Sequence, residues 1–130
     1  MNMLKIALPV IFSFSLLTLS NVSVADDKAS AATRAIAEIM MTVHHFPSDA
    51  DKDKLNKIAA EATTSADEKT IAQAMLNLKH KVADADKSKL ETVTKDAAAP
   101  AAVKSLASVL LGLNHQPSDA DIATLKQITK

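Results

Sequence analysis

The sequence predicts an all-α protein: three tandem 35-residue helix–turn–helix repeats forming a six-helix bundle or short α-solenoid, after a cleavable signal peptide. Three observations lead there. The first is the repeat itself. From residue 31 onward, rows of 35 place Val43-His44-His45-Phe46-Pro47-Ser48-Asp49-Ala50-Asp51 above Leu78-Lys79-His80-Lys81-Val82-Ala83-Asp84-Ala85-Asp86 and Leu113-Asn114-His115-Gln116-Pro117-Ser118-Asp119-Ala120-Asp121, without a gap. Seven register positions are identical in all three rows, among them His45/His80/His115, Asp49/Asp84/Asp119, Asp51/Asp86/Asp121 and Leu55/Leu90/Leu125. Self-similarity at a period of this size marks a repeat architecture. The second observation is the helical spacing of apolar side chains within each row, as at Ile36, Ile39, Met40 and Val43. The third is composition: alanine, leucine, methionine, lysine and glutamate favour helix, and Gly112 is the single glycine.

Residues 1–25 read as a signal peptide. Lys5 supplies the positive n-region, an apolar run reaches Leu19, and Ser23-Val24-Ala25 offers small residues for cleavage before Asp26-Asp27. The run is shorter than the roughly 20 residues that span a bilayer, and Pro9 interrupts it. The mature protein is therefore expected in the periplasm or secreted, with no membrane span after cleavage. The chain has no cysteine, which removes disulfides and a lipidated cysteine.

The mature part, residues 26–130, is expected as one helical-repeat domain with units at about 30–64, 65–99 and 100–130. The first helix of each unit runs from about residue 30, 65 or 100 to about 44, 79 or 114. Ser65-Ala66-Asp67-Glu68 has the pattern of a capping box, and Pro100 suits a helix start. A turn comes next, marked by Pro47 and Pro117, since the residue before proline resists the α region. The second helices begin near Ser48 or Asp49 and end near Ala62, with counterparts ending near Ala97 and Thr129. A turn this short predicts antiparallel helices within a unit. One such hairpin cannot bury its own apolar stripe, so the three must share a core. The period lies near that of tetratricopeptide units, but their tryptophan, glycine and tyrosine positions are missing.

Several functions are excluded by what the mature part lacks. Its 14 basic residues (all but Lys5) are interleaved with 15 acidic ones, so no basic stripe is present to neutralise phosphates. Phe46 is its one aromatic residue, which leaves no stacking platform for bases. Nucleic acid is thus not an expected partner. A single glycine cannot build a glycine-rich phosphate cradle.

The motif that invites a function is His-x-x-x-Asp-Ala-Asp, present three times. As turn chemistry, Asp49, Asp84 and Asp119 would be N-caps, and Asp51, Asp86 and Asp121 would meet the positive end of the helix dipole. The histidines would then close the preceding helix, bonding a carbonyl or the facing aspartate. As a metal site, His45, His80 and His115 would be ligands for copper, zinc or nickel, with His44 and Met41 as extra ligands in the first unit. A straight stack with helices ~8–10 Å apart puts His45 and His115 roughly 20 Å from each other, beyond one ion, whereas a strongly curved array brings all three nearer. Catalysis is not expected. Ser48 and Ser118 are replaced by Ala83 in the middle unit, so a repeated nucleophile is lacking. The expected role is a non-enzymatic module binding a protein or peptide partner, without a cofactor. The alternatives are a periplasmic transition-metal binding protein and, third, a pH-responsive stress protein, since histidine titrates near neutrality.

Overall fold

The computed structural model describes residues 29–130, which form six α-helices: α1 (Ala31–Thr42), α2 (Asp49–Ala60), α3 (Ala66–Leu76), α4 (Asp84–Lys95), α5 (Ala101–Gly112) and α6 (Asp119–Ile128). The signal-peptide expectation lies outside the described residues. Among the described residues, no helix is long and apolar enough to cross a membrane.

Helix starts obey local chemistry, with one correction. The N-caps of α2 and α6 are Ser48 and Ser118, whose hydroxyls accept from the Asp51 and Asp121 backbone N–H groups at 3.2 Å. Asp49, Asp84 and Asp119 are the first helical residues instead of the caps. A shorter serine side chain one residue earlier reaches the N3 amide, which leaves these aspartates to act on the helix dipole. In the middle unit Ala83 occupies the cap position and makes no side-chain bond. The Ser65–Glu68 capping box of α3 is present as expected.

The inner helices α1, α3 and α5 all pack on one another and form the centre. Their register-equivalent residues Ile36/Ile71/Leu106, Ala37/Ala72/Ala107 and Met40/Met75/Leu110 are all fully buried. Alanine at the middle position lets three helices approach around one axis. The outer helices bury a narrow stripe each: Leu55 and Ile58, Leu90 and Val93, Leu125 and Ile128. Burying one such aliphatic side chain stabilises by about 1.5–3 kcal/mol, so the outer helices depend on their neighbours rather than on propensity.

The three units share one core, as expected, but the closest helix pairs fall between units and not within them. Each outer helix packs most extensively on the inner helix of the following unit, α2 on α3 and α4 on α5, and α6 returns to α1. The chain thus closes into a ring with approximate threefold symmetry instead of stacking as an open array. The links accommodate this pairing. Residues 43–48 carry the chain inward to the axis before α2 begins, whereas residues 61–65 join α2 directly to α3.

The two ends of the axis carry different polar groups. Where α1 and α3 begin, the buried Glu68 carboxylate accepts from the hydroxyls of Ser30 and Thr33 (2.6 Å for Thr33) and from the Ser65 backbone N–H at 3.0 Å. Burial alone would push this carboxyl up, but the bonds from Ser30, Thr33 and Ser65 outweigh it and hold the group below its usual value. A buried anion beside the N-termini of the inner helices matches the sign of their dipoles. The opposite end, where those helices terminate, carries the histidines.

Candidate metal centre

Each inner helix stops before its histidine, so the rings do not cap helix ends as the sequence suggested. Val43 and Leu113, the C-caps of α1 and α5, are extended, and the C-cap of α3 is Asn77. The three histidines then take positive φ values of 64° at His45, 63° at His80 and 68° at His115, and they are the positive-φ residues among those described. On either side of each histidine the flanking backbone closes on itself. Phe46 N–H donates to the His44 carbonyl at 2.7 Å, Lys81 to Lys79 at 2.6 Å and Gln116 to Asn114 at 2.8 Å. An i to i+2 bond around a residue of positive φ is the strained form of the γ-turn. Three copies of it occur here, each centred on a histidine.

These turns are locked together by a second set of bonds. His45 N–H donates to the His115 carbonyl at 2.6 Å, His80 to His45 at 2.7 Å, and His115 to His80 at 2.7 Å. The result is a closed ring of three peptide hydrogen bonds about the axis. It converts three positions 35 residues apart into one cluster. Only the closed bundle can make it, because an open stack leaves the first and third units apart.

The side chains converge as the backbone does. The Nδ1 atoms of His45 and His115 lie 3.0 Å apart; those of His45 and His80, and of His80 and His115, lie 3.1 Å apart. Ring centroids are 4.9–5.0 Å apart and the rings meet edge to face. The three residues are exposed to solvent. The separation of roughly 20 Å expected for a straight stack is therefore corrected to direct contact, through ring closure.

Three imidazole nitrogens in mutual contact pose a definite chemical problem. Each Nδ1 carries either a proton or a lone pair, never both. A hydrogen bond needs one of each, and three atoms in a triangle cannot alternate. At least one of the three contacts must set lone pair against lone pair or proton against proton. A central cation removes the conflict by accepting all three lone pairs. An equilateral triangle with these sides has its corners about 1.8 Å from its centre, slightly less than a Zn–N bond of about 2.0–2.1 Å. An ion held there would have the Nδ1 atoms of His45, His80 and His115 as its protein ligands, the number that in open zinc sites leaves room for a further donor.

The other candidate ligands lie elsewhere. His44 Nδ1 faces the Gln116 side-chain carbonyl at 3.2 Å, tying the first turn to the third. Met41 is partly buried against the core. The aspartates do not join the cluster. Asp49, Asp51, Asp84 and Asp86 pair with the lysine three residues on, at 3.7, 4.0, 2.8 and 3.8 Å. Asp86 also accepts from Asn77 at 3.1 Å, and Asp121 bonds the Ser118 backbone N–H at 3.2 Å. The ammonium of Lys87 holds the Asp84 carboxyl below its usual value. What the sequence could not show was the γ-turn; three histidines at one register position, two of them before a proline, were its only trace.

Compared with protein-family models, curated proteins and solved structures, the chain has no match.

Proposed function

We propose that this is an exported, periplasmic carrier or buffer of a divalent transition metal, with His45, His80 and His115 as ligands through Nδ1. The observation that carries the proposal is the triangle of nitrogens at 3.0–3.1 Å, which a cation satisfies in full and hydrogen bonding only in part. Imidazole donors suit zinc, copper and nickel. The C-termini of three inner helices lead into the cluster and present the negative ends of their dipoles to it, which favours a cation. Its role is binding rather than turnover.

The test is calorimetric titration of the mature, untagged chain with zinc, copper and nickel. One ion per chain is expected, bound more tightly than about 1 μM, with affinity falling on acidification because protons compete for the same nitrogens. Absence of binding at that level, or binding that survives replacement of all three histidines, overturns the proposal. A second reading, docking of a protein or peptide partner, has in its favour the exposed side chain of Phe46 beside the same turns. Site-specific crosslinking from position 46 in living cells that captures no partner removes it.

A further inference from the structure

The bundle is nearly threefold in its core and in the histidine ring, but not around the ring. The common core and the proposed metal ligands account for what all three units share, so the departures from symmetry are where a further ligand can be read. One departure is a cleft of about 410 Å³ beside His80, lined by Phe46, Lys52, Leu76, Leu78 and Lys79. That volume lies within the range of about 300–1,000 Å³ typical of small-molecule sites. Phe46 is 56% exposed, the one large hydrophobic side chain among the described residues so displayed. The Lys52 ammonium stands 5.7 Å from the centre of its ring.

The register equivalents lack this combination. Phe46 is replaced by Lys81 and Gln116, Lys52 by Lys87 and Ile122, and Lys79 by Asn114 and His44. At one junction only does an aromatic floor meet two ammonium groups, and there the wall is a proposed metal ligand. One carboxylate is close by: Asp49, 3.7 Å from Lys52 and itself open to water. Lys79 has no carboxylate within ion-pair reach among the described residues.

We propose that the metal held by the three histidines takes as its further ligand a small carboxylate with an apolar tail, seated in this cleft; the inference rests on the metal reading above. Three nitrogen ligands would leave a transition metal able to take a further donor. A carboxylate oxygen fills one of them, while Lys79 and Lys52 balance the remaining anionic charge. The tail then covers Phe46, Leu76 and Leu78, which supply apolar area and no hydrogen-bonding demand. The function implied is uptake of metal together with an organic acid, as a ternary complex.

The experiment uses the mature chain loaded with cobalt(II), whose visible spectrum reports changes of ligand. Benzoate and acetate are titrated in turn. Benzoate is expected to shift the spectrum at about tenfold lower concentration than acetate, the difference that burial of an aromatic ring supports. Phe46→Ala is expected to bring benzoate close to acetate while cobalt affinity stays the same. Lys79→Gln is expected to weaken both acids. Failure to take up cobalt, with zinc, copper and nickel also unbound, overturns both proposals. Cobalt uptake with benzoate no stronger than acetate, or a benzoate preference that survives Phe46→Ala, overturns this one alone.

Discussion

Replacing His80 by glycine separates a ligand from a folding element. In the parent, His80 holds φ at 63° in a γ-turn, a backbone state that disfavours any side chain. Strain of this kind costs of order 1–3 kcal/mol per residue. Glycine adopts the same φ freely but loses more chain entropy on folding, about 0.5–1 kcal/mol. Its backbone still donates to the His45 carbonyl and accepts from His115, so the ring of peptide bonds is kept. The imidazole edge contacts at 4.9 and 5.0 Å are lost, which costs about 1 kcal/mol. These terms nearly cancel. Metal-free His80→Gly is expected within about 1 kcal/mol of the parent in urea unfolding, on either side. Its zinc affinity is expected to fall by more than about 100-fold, beyond what loss of an outer-shell partner causes. Under the metal-binding proposal, histidine stands at this glycine-like turn in all three units for the sake of the ligand nitrogen its ring supplies. A loss of more than about 2 kcal/mol in the metal-free variant would refute this reasoning and make the imidazoles packing groups.

Other substitutions probe the frame around the site. Ala83→Ser supplies the cap that α2 and α6 have and α4 lacks; a gain of about 1 kcal/mol in urea unfolding is expected. Glu68→Gln is expected to cost about 1–3 kcal/mol at pH 7, because a carboxylate accepting three hydrogen bonds is replaced by a neutral amide. Since the folded Glu68 carboxyl lies below its ordinary value, its contribution is complete above about pH 4.3 and is lost as pH falls through the folded value, so parent and variant should converge under acid conditions. A gap that stays constant from about pH 7 to about pH 3 would count against this account. Leu125→Ala, in the helix that closes the ring onto α1, is expected to cost about 2–5 kcal/mol. Hydrogen exchange in that variant should speed up in α1 as well as in α6, because the two helices share the closure.

The repeat, the all-α class and the helix positions were legible in the chain because they depend on local rules: a spacing of 35, apolar side chains at helical intervals, serine and proline near helix starts. Even the residues of the candidate site were legible as a set, since His45, His80 and His115 share one register position. Their arrangement was not. Whether three copies stack openly or close is decided by the sum of contacts between α6 and α1, which are separated by most of the chain and leave no short-range signal. The positive φ of the histidines was hidden for a similar reason. Locally it is unfavourable, and it persists because three turns from different units bond one another around the axis. The sequence by itself determined which helices form and which residues recur. Tertiary structure alone decided that residues 35 and 70 positions apart meet within 3.1 Å, because closure of the ring is a property of all six helices at once.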